Sequence, residues 1–169
     1  MGPASHRHGS RTAPPVAVGL LTVSDTRTPE SDRSGQAVTR LLEAEGHSVF
    51  GYRILPDEPD RIGSLLREWL AEPGCAMVIV NGGTGISRRD RTFDAVSALY
   101  DQRLDGFGEL FRVLSYEEIG SGAMLSRASA GVVRGKPLFS LPGSTAAVEL
   151  AMTRLILPEL GHLLAELAR

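Results

Sequence analysis

The sequence predicts a three-layer α/β/α domain with an open, mostly parallel sheet. Three observations lead there. Residues 16–23 (VAVGLLTV) and 75–80 (CAMVIV) are continuous apolar runs with β-branched residues, as expected of strands buried on both faces. Amphipathic helical patterns separate the strand runs in the order β-α-β-α-β, which implies right-handed crossovers. Strand ends carry polar or glycine-rich residues, as at Ser24-Asp25-Thr26 and Gly82-Gly83-Thr84-Gly85.

Each element follows from local chemistry. After the first strand, residues 28–33 are polar and contain Pro29, hence a loop. A helix opens at Ser34, carries Val38, Leu41 and Leu42 on one face, and closes at Gly46. Residues 49–55 form the second strand, and Pro56-Asp57-Glu58-Pro59 a turn whose second proline suits a first helical position. Ile62, Leu65, Leu66, Trp69 and Leu70 make one apolar stripe, ended by Pro73-Gly74. The third strand, 75–80, leads through Asn81 into the loop GGTGISRRD. Residues 91–101 read as a helix with Phe93, Val96, Leu99 and Tyr100 inward, and Asp105-Gly106 as a break. Residues 107–118 and 123–128 read as short helices. Val132-Val133 and residues 137–141 read as short strands joined at Gly135-Lys136. The chain is then helical from Gly143 to Leu157, interrupted at Pro158, and helical again to its end.

The 169 residues suit one domain, which we place at 16–169, after a disordered tail at 1–15. A single cysteine, Cys75, excludes an intramolecular disulfide and any multi-cysteine metal site, and it reads as a core hydrophobe. A net charge of −2 argues against a protein that coats nucleic acid, and 5% aromatics against a single-strand stacking platform. No signal-peptide core, myristoylation site or span-length apolar run occurs, so a cytoplasmic protein without membrane contact is expected. His47 and His162 are isolated and read as surface residues. No nucleophile elbow is present.

In open parallel sheets, ligands sit outside the carboxyl ends of the strands. Four such ends carry suggestive residues. Ser24 and Asp25 end the first strand, and Asp57 lies in the turn after the second. Gly82, Gly83, Thr84 and Gly85 follow the third, where absent side chains let backbone N–H groups approach phosphate oxygens; a strained turn would need the same glycines. Asp90, flanked by Arg88, Arg89 and Arg91, suits Mg²⁺ beside phosphates, or equally a helix N-cap. Pro142, Gly143 and Ser144 lie between a strand and a helix, where free N–H groups and the hydroxyl suit an anion or a simple cap. The loop is neither a Walker loop nor the dinucleotide fingerprint, which disfavours a nucleotide-cofactor oxidoreductase.

Taken together, LTVSDT, LPDEPDRI, NGGTGISRRDRT, GFGELFRVLSYEEIGSGAMLSRASAG and LPGSTAAVELAM resemble the molybdopterin adenylyltransferase family of the MoaB/MogA type, over residues 16–165. The middle run looks more like the MoaB branch. The resemblance implies an α/β/α domain that assembles as a homotrimer or homohexamer, takes part in molybdenum cofactor biosynthesis, and binds molybdopterin. In active members, AMP passes from Mg-ATP to the terminal phosphate of molybdopterin and pyrophosphate leaves; other members bind without adenylylating. Carried over, Gly82, Gly83, Thr84 and Gly85 would hold nucleotide phosphates, with Asp57 and Asp90 the essential acidic pair and Mg²⁺ ligands. Ser24, Asp25, Pro142, Gly143 and Ser144 would line the substrate crevice, with Glu109 and Ser126 near it. The subunit interface is expected around residues 107–119. One departure is Asn81, where many relatives have Thr; it also forms hydrogen bonds.

Overall fold

Strand β1 (Ala17–Val23) is the axis from which the sheet grows both ways. In the computed structural model, which describes residues 14–87 and 90–169, the six strands run in the order β2-β1-β3-β6-β5-β4. β2 (Ser48–Leu55), β1, β3 (Met77–Asn81) and β6 (Lys136–Leu141) are mutually parallel. β5 (Ser129–Val133) pairs antiparallel with β6 and with the two-residue edge strand β4 (Gln102–Arg103). The fold class is therefore the one the sequence predicts.

Alternation along the strands supplies a core to each face. Val18 and Leu20 of β1, with Met77, Ile79, Phe139 and Leu141, pack under α1 (Arg33–Ala44), α4 (Asp105–Ile119), α5 (Thr145–Ala151) and α6 (Leu157–Leu167). Leu21 and Val23, with Val78, Val80 and Leu138, pack under α2 (Pro59–Ala71) and α3 (Thr92–Ser97). Ile62, Leu66, Trp69 and Leu70 are the buried stripe of α2, and Cys75 is fully buried, its thiol pushed up by burial. At Gly19 a Cβ would lie 2.6 Å from Trp69 Cε3 and 3.2 Å from Val78 Cγ2. Gly19→Ala is accordingly expected to cost about 1–3 kcal/mol by overpacking, read as a lower urea midpoint at unchanged m.

Several boundaries differ from expectation for identifiable reasons. The helix expected over 91–101 is only Thr92–Ser97, because the following chain is drawn into the sheet: the Asp101 and Leu104 N–H groups donate to Val132 and Ala130. Tyr100 packs where a Gly131 side chain would be, and its hydroxyl lies 3.0 Å from that of Ser129. Asp105-Gly106 begins α4 instead of breaking the chain, and an acidic first turn suits the helix dipole. A 3-10 turn, Gly120–Leu125, replaces the helix expected over 123–128, after Gly120 leaves α4 at φ +67°. The hairpin turn is Arg134-Gly135, both at positive φ, and Lys136 already pairs in β6.

Pro158 does not interrupt the last helix. A π-helical stretch, Met152–Ile156, widens the preceding turn, and proline then sits in the first turn of α6, where its missing N–H costs least. His47 is not a surface residue: it is 8% exposed, and its Nδ1 accepts from the Val16 N–H at 3.4 Å. His162 is exposed, between Glu159 and Glu166. Among the described residues no helix is long and apolar enough to cross a membrane. The expected tail lies almost wholly outside the described residues, as do Arg88 and Arg89.

Candidate functional site

The chain runs from β1 outward to β2, then returns to place β3 on the other side of β1. That reversal opens a crevice beyond the carboxyl ends of β1, β3 and β6. Its volume is about 470 Å³, and Ser24, Gly82, Gly83, Thr84, Gly85, Ser126, Pro142 and Gly143 all line it. Eight of the residues singled out from sequence thus converge on one surface.

The glycines are there for contact as well as conformation. Gly82 has φ +99°, and a Cβ on it would run into the Val23 carbonyl oxygen. Gly83 has φ +62°; its missing side chain leaves room for Thr92 and for Asp57 Oδ2, which lies 2.9 Å from the Cβ position. At Gly85 the corresponding space is taken by the Asp90 carboxylate, with Oδ2 at 2.5 Å. Two carboxylates therefore pack directly against the loop. The Gly82 N–H is used by Leu141, whereas those of Gly83, Thr84 and Gly85 have no hydrogen-bond partner among the described residues.

The two acids are held differently. Asp57 Oδ2 accepts from the Arg91 N–H at 3.1 Å. Its Oδ1 and the nearby Thr92 Oγ1 are buried without a hydrogen bond among the described residues. Burial pushes the Asp57 carboxyl above its ordinary range; the Arg91 N–H opposes this, and the charges of Asp90 and Asp25 add to it. Asp90 Oδ2 accepts from the Ser87 N–H at 2.9 Å, folding the carboxylate back into the loop; α3 has no side-chain cap. The helix-cap alternative for Asp90 is thereby answered. Ser144, by contrast, is a true N-cap, its Oγ accepting from the Ala147 N–H at 3.2 Å. Asp25 is exposed at the end of β1 and does not line the crevice. Glu109 lies on α4 in a neighbouring crevice, which Ser126 joins to the first.

Two arginines and one acid escaped the sequence reading. Arg127 donates to the carbonyls of Thr84 (3.3 Å), Gly85 (2.5 Å) and Asp90 (2.6 Å) and lies over the Phe93 ring. It staples the loop from 42 residues away. Arg127→Ala is expected to raise amide exchange at Ser87, Asp90 and Arg91, whose N–H groups are hydrogen-bonded, by roughly tenfold or more, since each lost bond is worth about 1 kcal/mol. Arg27 donates through Nη2 to the Gly143 carbonyl (2.8 Å) and through Nη1 to Ser34 Oγ (2.8 Å) and Asp32 Oδ1 (3.4 Å). Asp32 is fully buried and caps α1 through the Gly35 N–H. Thr22 and Tyr52 also donate to it, at 2.5 and 2.7 Å. An Asp just before a helical pattern was the available signal for that cap. Asn81 turns inward, donating to Thr22 Oγ1 at 2.9 Å, with its Oδ1 2.9 Å from Ser34 Oγ. Its hydrogen bonds serve the frame behind the crevice.

Comparison with known proteins fits this geometry. Residues 19–162 match the family model described as a probable molybdopterin binding domain. The chain is 48% identical over 164 residues to molybdenum cofactor biosynthesis protein B of Halalkalibacterium halodurans, covering 96% of each chain. A crystal structure of a molybdenum cofactor biosynthesis protein B, 50% identical, superposes with TM-score 0.90 over 92% of this chain and 98% of that one. The tungsten cofactor synthesizing protein MoaB of Pyrococcus furiosus, 37% identical, gives 0.83 over 93% and 100%. The chain belongs to the molybdopterin-binding-domain family of molybdenum cofactor biosynthesis proteins, in its protein B branch.

Proposed function

We propose that this protein transfers AMP from ATP to the terminal phosphate of molybdopterin, giving adenylyl-molybdopterin and pyrophosphate. The observation that carries the reading is the pair of carboxylates, Asp57 and Asp90, packed against a loop with three N–H groups that have no partner among the described residues. A pterin phosphate oxygen attacks the α-phosphorus of ATP, and the bond from that phosphorus to the bridging oxygen breaks as pyrophosphate leaves. Such a transfer needs little covalent help; positioning and charge stabilisation do most of the work. The Gly83, Thr84 and Gly85 N–H groups hold phosphate oxygens, and Arg127 keeps the loop in shape. The donor set fits Mg²⁺, which takes one or two carboxylates plus phosphates, and the Asp57 Oδ1 has no protein partner among the described residues. Held by Asp57 and Asp90, Mg²⁺ would supply charge neutralisation on the leaving pyrophosphate.

The test is a turnover assay with purified protein, molybdopterin, ATP and Mg²⁺. Adenylylated pterin with equimolar pyrophosphate is expected. Saturable pterin binding without product would make the protein a non-catalytic binder. We further propose a homotrimer or homohexamer. Its support is a row on α4 at intervals of three, Leu110, Val113, Tyr116 and Ile119, each more than half exposed. Light scattering at micromolar concentration is expected to show an oligomer, and a monomer would overturn this assignment.

A further inference from the structure

We propose that Arg27 is the anion-recognising residue of the crevice, a fixed guanidinium that takes a phosphate group of the substrate, and that Asp32 is its positioning residue. The proposal deepens the transferase reading and rests on it for the identity of the substrate alone. Arg27 is the one charged side chain among the described residues that line the glycine-loop crevice. A crevice that takes phosphates on backbone N–H groups gains most from a cation in its own lining, and here that is Arg27.

The geometry separates a held edge from an offered one. Guanidinium carries five N–H donors in a rigid plane. Three are engaged: two on Nη1 by Ser34 Oγ and Asp32 Oδ1, and one on Nη2 by the Gly143 carbonyl. Nε and the second Nη2 hydrogen have no partner among the described residues, while the side chain remains 31% exposed at the crevice. Those two donors leave the guanidinium able to give a phosphate two further charge-assisted hydrogen bonds. The anchor is stiff because Asp32 is buried and shared by Thr22, Tyr52, Ser34 and Gly35. A surface arginine serving only as a clamp would need neither a free edge nor a position inside the pocket.

Inorganic pyrophosphate, titrated calorimetrically in EDTA at fixed ionic strength, isolates this contact from turnover and from any metal. Wild type is expected to bind it saturably, and Arg27→Gln to bind about 10- to 100-fold more weakly with native near-UV circular dichroism. Arg27→Lys keeps the charge without the guanidinium and is expected to fall between the two, with a steeper salt dependence than wild type. Equal affinity in wild type and Arg27→Gln, or no binding to wild type at millimolar pyrophosphate, would overturn the proposal. Arg27-dependent binding in a protein that fails the turnover assay would leave this proposal standing and remove the transferase reading.

Discussion

Asp90→Asn and Asp57→Asn are each expected to lower the rate of adenylyl-molybdopterin formation by about 10²–10³-fold, the range for removing one preorganised charge-stabilising group. Direct titration should show molybdopterin bound nearly as tightly as by wild type, because neither carboxylate belongs to the crevice lining proper. Equal loss of binding and turnover would sink the assigned roles. Asp57 adds a control that misfolding cannot imitate. Its carboxyl is raised by burial, so the ionised form costs folding free energy at neutral pH, and that cost is relieved as pH falls through the raised value. Asn removes the buried charge, and its amide oxygen still accepts from the Arg91 N–H. Asp57→Asn should therefore melt no lower than wild type at pH 7, and the gap should close as pH falls toward the carboxylate range. Activity lost without stability lost marks a residue kept for chemistry.

What was legible in the sequence follows from the range of the forces involved. Strands β1 and β3 announce themselves because both faces are buried and all but Thr22 and Asn81 lack a polar side chain. The glycine loop is legible for a related reason, since positive φ and carboxylates packed against the chain leave few residues that fit. Edge strand β4 is two exposed polar residues, held by pairing with β5 and by Tyr100 against Gly131, neither of which is local. Arg27 meets Gly143 from 116 residues away, and Arg127 meets Thr84 from 43. A long cationic side chain in a polar loop carries no mark of such a partner. The parallel topology brought the strand ends together, as the sequence order implied, but which cations wait there is a tertiary fact.

The largest loss of stability is expected at Asp32, whose side chain is fully buried. Asp32→Ala removes the acceptor for the Thr22, Tyr52 and Ser34 hydroxyls and the Gly35 N–H, and leaves the Arg27 guanidinium with one anchor fewer. Breaking a buried charged cluster from one side costs about 3–5 kcal/mol, a large share of what a domain this size has. Asp32→Asn offers little relief: Thr22 and Tyr52 donate to one carboxylate oxygen and Ser34, Gly35 and Arg27 to the other, so either amide orientation aims a donor at donors. The pH dependence identifies the group. Burial alone would raise the Asp32 carboxyl, but the Thr22, Gly35, Tyr52 and Ser34 hydrogen bonds outweigh it and hold the carboxyl below its ordinary range. A depressed carboxyl contributes stability that is present in full above about pH 4 and lost as pH falls through the folded value. Urea midpoints measured from pH 7 down to pH 3 should drop more steeply for wild type than for Asp32→Ala, the two converging at the acid end. Parallel curves would mean that the buried carboxylate is not what ties α1, β1 and the arginine behind the crevice together.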